Sequence, residues 1–500
     1  MLGDVSDLYR AFVLTFIDRP ELVGTDASLR KELRLNTQLS GARTAVVVGG
    51  SIGGSTAALA LRPHFDRVII IDRDELPDGP KDRKGAPHAY QFHGLTFGGL
   101  QAMESLLPGL TESATAAGCP SHDPGRMQYG SKFGFFAQCD TDMTVLAGSR
   151  LKLEAMLRAA TRDLDRIEVL ERQTATGLRV ENGIVTGVNL VDAAGTVSTI
   201  DADLVVDSSG RSSAAGDWLE DAGYQRPEET VINARWSYVT TYIRPNTDYK
   251  PPFPAFYASP TIYGEGAAAS RGGGTWWQED GLWVLTAQGV GEHPPTDAAG
   301  FREYLGSFGR SEFTDLLDNS EIVKPLVPWR NTTSRLRDYA NLPIRPENFV
   351  VIGDAVAAFN PVYGQGMSSA ALQAKTLSDE LQNWSGSDLI GFAERFQKTT
   401  DVQIIQSCWG FSAGSDLTIP GVEVNGETHE VVGSAEQDYV DRVLALATED
   451  PAVAHKMWEM IQITRGPEWM SEPDLRATIT ANWDRLGKKR RDDNLEAVGA

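Results

Sequence analysis

The sequence predicts an α/β protein: a Rossmann-like, mainly parallel sheet domain assembled from discontinuous segments, a mainly antiparallel second domain and a helical C-terminal region. Three observations predict it. A continuous apolar run at 45–48 ends in glycines and leads, through small helix-compatible residues, to a second apolar run that closes on Asp72. From about 215 to 329 the chain turns aromatic, Gly-rich and Pro-rich, with short alternating runs. The buried-strand pattern then returns at 349–354, so the first domain closes with sequence from far downstream.

The chain has 500 residues, enough for two or three domains with full cores. Its 41% hydrophobic and 23% charged content matches soluble globular chains and removes the fibrous and low-complexity classes. With 46 Lys plus Arg against 68 Asp plus Glu, the net charge of −22 repels phosphate backbones, so nucleic acid is not an expected partner. Cys119, Cys139 and Cys408 are too scattered for a disulfide framework, which points to a reducing, cytoplasmic setting. No run reaches the roughly eighteen uncharged apolar residues that a membrane span needs. The seven histidines are dispersed without H-x-x-x-H or H-E-x-x-H spacing, so no metal site is expected.

In chain order, residues 1–42 form an extension whose apolar stretch at 8–17, interrupted by Arg10, reads as a docking helix. The first domain takes 43–120, 149–214 and 340–400, the second 121–148 and 215–339, and the helical region 401–500. Strand 44–48, helix 55–61 and strand 67–72 make a βαβ unit. Runs at 167–171, 177–180 and 184–191 alternate like a small meander, with Asn182-Gly183 as its hairpin turn. A buried strand follows at 204–207. Trp276-Trp277 and the run 282–285 face each other across the Glu279-Asp280-Gly281 turn, and these tryptophans can pack the sheet or line an apolar pocket. A helix at 368–381 follows the strand at 349–354. Lys488, Lys489, Arg490 and Arg491 read as a solvated tail.

The chemistry starts at Gly49-Gly50-Ser51-Ile52-Gly53-Gly54, a turn whose backbone N–H groups at a helix N-terminus can hold a pyrophosphate. Asp72 ends the next strand, where a carboxylate can accept both ribose hydroxyls and disfavours a 2′-phosphate. NADP is therefore a poor candidate for this pocket, while NAD and FAD both remain open.

Gly353-Asp354-Ala355 followed by Pro361-Val362-Tyr363-Gly364-Gln365-Gly366-Met367 resembles the GD-A…P-x-x-G-x-G element of FAD-dependent monooxygenases of the aromatic-hydroxylase and squalene-epoxidase superfamily. The resemblance implies that Asp354 binds the ribityl chain and that backbone N–H groups around Gly366 and Met367 face the flavin pyrimidine. It also implies that Pro361, Tyr363, Gly364, Gly366 and Met367 shape the oxygenation site. The run 150–158 resembles the R-x-x-L-E-x-x-L helix, whose first arginine, here Arg150, approaches the cofactor phosphates, and an arginine fork suits that task. Asp207-Ser208-Ser209-Gly210-Arg211-Ser212-Ser213 resembles the D-x-x-G-x-x-S turn.

The segment from Arg83 to His93 is similar to the R-K-G-x-P-Q-x-x-H-x-H stretch of bacterial polyether epoxidases, with Arg83, Lys84, Gly85, Pro87 and His93 matching. His88 stands in the glutamine position and Gln91 in that of the first histidine. The expected FAD-binding set is thus Gly49, Ser51, Gly53, Gly54, Asp72, Arg73, Arg83, Lys84, Arg150, Asp207, Asp354, Gly366 and Met367. The resemblance implies a monooxygenase that transfers one atom of O2 through a flavin 4a-hydroperoxide to a lipophilic substrate, foremost an olefin of a polyketide or terpenoid. Electrons would come from NAD(P)H or a separate flavin reductase. Aromatic hydroxylation is the second reading and flavin-dependent halogenation a rival, although Gly274-Thr275-Trp276-Trp277-Gln278 does not reproduce the W-x-W-x-I-P signature. A flavin-free carrier is the alternative outside enzymology. The sequence offers no recognisable base for activating a phenol.

Overall fold

The computed structural model describes residues 43–260, 269–308, 310–431 and 433–489. The expected docking helix at 8–17 and the basic residues Arg490 and Arg491 lie outside them.

Strand β1 (Thr44–Val48), helix α1 (Ile52–Leu61) and strand β2 (Arg67–Ile71) form the expected βαβ unit. Helix α2 (Arg150–Asp163) leads to β3 (Ile167–Leu170), followed downstream by β4 (Leu204–Asp207), β5 (Phe349–Val351), helix α3 (Gly366–Gln382) and helix α4 (Gln406–Asp416). The parallel sheet runs β5-β4-β1-β2-β3. Its strands are continuous apolar runs because both faces are covered, one by helices α1, α2 and α3 and the other largely by an antiparallel meander through Val185, Val188 and Leu190, which leaves no polar side to alternate with. The Ala-rich α1 is buried along nearly its whole length against the sheet and α3. Gly54 permits that fit, since a Cβ there would sit 1.7 Å from the Gly49 carbonyl oxygen.

One element differs from expectation. The run at 167–170 is not part of the meander but pairs with β2 in the parallel sheet. The hairpin itself, Gln173–Glu181 with Ile184–Asp192, turns at Asn182 and Gly183, both at positive φ, and takes its third strand from Val197–Asp201. Local alternation cannot distinguish a half-covered edge strand of one sheet from a strand of its neighbour.

The second sheet orders Ser320–Ile322, Trp236–Pro245, Trp283–Val290, Arg271–Trp277, Ala255–Ala258, Gln128–Ser131 and Gly134–Phe135. All its pairings are antiparallel except that between Ala255–Ala258 and Gln128–Ser131. One face packs Val239, Ile243, Phe256 and Leu285 on helices Ala298–Gly306 and Glu312–Asp318 through Phe301, Leu305 and Phe313. The other face carries Tyr238 opposite Gln288 and Tyr242 opposite Val284, and turns toward the first domain.

A third sheet joins Ala357–Ala358, Ser334–Arg337, Glu229–Asn233, Glu423–Val424 and Glu427–Thr428, so the C-terminal region is stitched to both sheet domains. The rest of that region is helical, with Ala435–Ala447, Pro451–Ile461 and Pro473–Ala481 packing Trp458 and Met457 on Phe133, Phe136 and Met143. Lys489 departs from the solvated tail read from sequence: its ammonium donates to Glu449 at 2.9 Å and its side chain is largely covered. The three cysteines are free thiols, and no helix among the described residues is long and apolar enough to cross a membrane.

Candidate active site

The loops that leave the carboxyl ends of β1, β4 and β5 meet in one cleft of about 790 Å³, at the switch point of the parallel sheet. Gly49, at φ +103°, brings the first loop so close to the second that a Cβ would lie 2.5 Å from the Ser208 carbonyl oxygen. Gly49, Ser51, Gly53, Asp72, Arg73, Arg83, Lys84, Arg150, Asp354, Gly366 and Met367 all line this cleft. Gly54 lies behind it in the packing of α1.

At one end, Asp72 accepts Gly50 N–H at 2.7 Å and Asp74 N–H at 2.8 Å, one on each oxygen, which leaves a lone pair on each for a ribose hydroxyl. Arg83 is held by Asp74 at 2.8 Å and by Glu154 at 2.9 Å, with Asp72 at 3.6 Å. The facing guanidiniums hold the Glu154 carboxyl below the usual carboxylate range against the opposing effect of burial. Arg150 reaches Ser51 Oγ at 3.3 Å on the glycine turn, and its Nε is buried without a hydrogen-bond partner. Ser209, beside the same turn, also lines the cleft. Asp354 lines the cleft within reach of the Arg211 charge, and α3 begins twelve residues further on at Gly366. Arg150 and the N-terminus of α3 at Gly366 both line the cleft, and a guanidinium together with open backbone N–H groups fits an FAD molecule.

Asp207 departs from the expected ligand set. It is fully buried outside the cleft lining, accepting Ser209 N–H at 2.9 Å and the Ser213 hydroxyl at 2.5 Å, and burial raises its carboxyl pKa. It shapes the loop rather than facing a ligand. Arg211 in the same loop lines the cleft and donates to the Phe359 carbonyl at 2.8 Å.

Beyond Pro361 and Gly364 the cleft meets a small chamber of about 120 Å³ lined by Tyr238, Trp276, Thr286, Gln288 and Tyr363. Tyr129, Tyr257, Tyr363 and Phe411 lead on to a larger chamber of about 630 Å³. The C-terminal helices supply one wall of it through Phe411, Met457, Met460 and Ile461. Trp276 thus lines the pocket, whereas Trp277 is exposed and Trp283 packs the sheet.

Between cleft and chamber lies a hydrogen-bonded chain absent from the sequence reading. Tyr238 Oη is 2.5 Å from His88 Nε2, His88 Nδ1 is 3.0 Å from His93 Nε2, and His93 Nδ1 is 2.8 Å from the Gln91 carbonyl oxygen. The carbonyl can only accept, so His93 Nδ1 carries the hydrogen. With both rings neutral, His88 must then donate to His93 and Tyr238 must donate to His88. Burial and the nearby Arg150 hold His93 at about 3, and burial with the same positive neighbours lowers His88 well below its ordinary value.

Asp416 was equally invisible in the motifs. At the end of α4 it is fully buried and accepts from Trp236 Nε1 at 3.0 Å, Tyr363 Oη at 2.8 Å and Asn360 Nδ2 at 3.1 Å. Burial pushes its carboxyl up to about 7 despite these donors.

A glycine turn at a sheet switch point, an acid at the end of the next strand and a second loop joined to an apolar chamber are the features of a dinucleotide-binding fold. Residues 43–386 match the family described as FAD binding domain, and the chain belongs to that family. Protein Rv3254 of Mycobacterium tuberculosis is 32% identical over 351 residues, covering 68% of this chain and 73% of that protein. Among solved structures, the fold is similar to pqsL of Pseudomonas aeruginosa, described as a probable FAD-dependent monooxygenase (TM-score 0.57, 14% identity, 76% of this chain and 97% of that one). It is similar too to p-nitrophenol 4-monooxygenase PnpA of Pseudomonas putida DLL-E4 (TM-score 0.56, 18% identity, 85% and 100%) and to the flavin-dependent brominase Bmp2 (TM-score 0.57, 14% identity, 89% and 100%).

Proposed function

We propose that the protein is an FAD-dependent monooxygenase that inserts one atom of O2 into a lipophilic substrate held in the two chambers. The observation that carries this reading is continuity: Pro361 and Gly364 line both the nucleotide cleft and the small chamber, so a ring in the cleft and a substrate in the chamber would meet across one loop. Bound FAD supplies the redox chemistry and activates oxygen. The protein binds the nucleotide through Asp72, Arg150 and Asp354. It orients the substrate with Trp276 and Tyr363 and excludes water with the aromatic and methionine walls.

Epoxidation of an olefin in a polyketide or terpenoid is supported by the Arg83 to His93 resemblance and by the apolar size of the larger chamber. Hydroxylation of a phenolic arene is favoured by one specific observation. Tyr238 lines the small chamber and donates its hydrogen to His88, which leaves its oxygen lone pairs to accept a hydrogen bond from a substrate hydroxyl and so to orient a phenol there. For halogenation, the lysine in the larger chamber, Lys132, is paired with Asp441 at 2.8 Å.

The test is mass spectrometry of products formed under ¹⁸O2 with candidate polyenes and phenols. One ¹⁸O in an epoxide supports the first reading and one in a new phenolic hydroxyl the second. Halide-dependent chlorination without ¹⁸O incorporation would overturn both.

A further inference from the structure

Four uncharged groups converge on one buried carboxylate that belongs to none of the expected motifs. Trp236 comes from the second sheet, Asn360 and Tyr363 from the loop between cleft and chamber, Ser334 from the third sheet, and Asp416 from the C-terminal helices. Asn360 also caps the short turn Pro361–Tyr363, its Oδ1 accepting Val362 N–H at 3.2 Å, and its own N–H donates to Ser334 Oγ at 3.0 Å. Links from the second sheet, the third sheet and the C-terminal helices to this turn therefore meet at Asp416 and its immediate partners. Tyr363 is the one titratable group bonded to Asp416 among the described residues, and no cation offsets its charge there.

The placement is electrostatically costly. Asp416 is the last residue of α4, where the negative end of the helix dipole opposes a carboxylate, and it is fully shielded from water. A structural plug would be better served by an apolar residue. What an acceptor-only group uniquely supplies is a place for an indole N–H, a phenol O–H and an amide N–H at once.

We propose that Asp416 is the positioning residue of the oxygenation site: it ties the loop at Asn360 and Tyr363 to the C-terminal helices, so that loop and chamber wall are held as one body. The proposal rests on the reading of the cleft as the flavin site. Ionised Asp416 holds the loop by charge-assisted bonds, and the neutral acid holds it less tightly because one of its oxygens must itself donate. The side of the site that faces the ring is thus set by a group that touches neither ring nor substrate.

Two measurements on the full-length protein test this. In ¹⁵N-tryptophan-labelled protein the Trp236 indole N–H, identified by its loss in Trp236→Phe, should shift with pH around a midpoint near neutrality. The shift should vanish in Asp416→Asn, and its midpoint should rise in Tyr363→Phe, which removes a donor from the carboxylate. In the FAD-loaded protein, release of FAD followed by its fluorescence should slow as pH rises through neutrality. Asp416→Asn and Tyr363→Phe should release it about fivefold faster at the alkaline end, the equivalent of one weakened hydrogen bond. Asp416→Asn should also lose the pH dependence. Release rates in both variants equal to wild type throughout overturn the proposal, as does a Trp236 signal that does not titrate. If Asp416→Asn fails to fold, Tyr363→Phe and the wild-type titration still decide. A chain that binds no FAD sinks the flavin reading, while an unchanged Trp236 midpoint in Tyr363→Phe sinks this one.

Discussion

Asp354 offers the sharpest single-residue expectation, because it lines the cleft together with Arg211, whose charge it faces. Asp354→Ala should purify folded but weaken FAD binding about 10- to 100-fold, the worth of a hydrogen bond to a charged group, as measured by fluorescence titration. His93 makes the opposite kind of statement. Its folded pKa of about 3 lies below the ordinary value, so the unfolded chain binds the proton more readily, and the stability His93 confers is present above about pH 6.5 and lost as pH falls toward 3. Asp416 runs the other way. Its folded pKa is raised to about 7, so its contribution is full below about pH 4 and lost as pH rises through neutrality. Urea unfolding should therefore show His93→Gln narrowing its deficit to wild type as pH drops from 7 to 5. Asp416→Asn should narrow its own deficit as pH rises over the same interval. A deficit that is flat with pH in either variant would contradict the corresponding burial argument.

Turns and helix ends separate what the backbone needs from what the ligand needs. In the β1–α1 turn a Cβ on Gly54 would meet the Gly49 oxygen at 1.7 Å, an overlap that only movement of the helix could relieve. At the start of α3 a Cβ on Gly366 would meet nothing closer than Asp354 Oδ1 at 3.4 Å, an ordinary contact facing the cleft. Gly54→Ala should therefore lower the melting temperature by several degrees, as an overpacked core position costing about 1–3 kcal/mol. Gly366→Val should melt close to wild type and lose substrate oxygenation, because the added methyl groups enter the space kept for the ring. Oxygenation by Gly366→Val equal to wild type would remove that loop from the site.

The assembly of the chain is set by the C-terminal region, which lies beyond the matched residues 43–386 yet walls the larger chamber. Met460→Trp should fill part of that space, weakening binding of bulky lipophilic ligands several-fold while leaving FAD content unchanged. Equilibrium dialysis with ligands of graded size reads this directly, and uniform affinity across the series would show that the chamber does not hold substrate. The described residues hold one glycine turn at a sheet switch point, and one tightly held nucleotide is the expected outcome. Calorimetry on the FAD-loaded protein should find NADPH binding weak or absent, and a tight stoichiometric complex would contradict this.

Continuous apolar strands, the glycine turn with Asp72, and the Gly353 to Met367 run were legible because each is a local pattern whose meaning survives without neighbours: a buried strand needs apolar residues on both faces, and a phosphate needs open backbone N–H groups. The parallel sheet and the βαβ unit followed from the local patterns, whereas Arg83, Arg150, Asp354 and Gly366 entered through the family resemblance. Tertiary structure decided the rest. The strand at 167–170 joined the parallel sheet because pairing partners lie far apart in sequence, and Asp207, the last residue of β4, turned inward because Ser209 and Ser213 of the following loop donate to its carboxylate. Tyr238 meets His88 across 150 positions, and Asp416 meets Trp236 across 180. No spacing encodes such pairs, since hydrogen bonds between distant segments exist only once both have been packed against a common core.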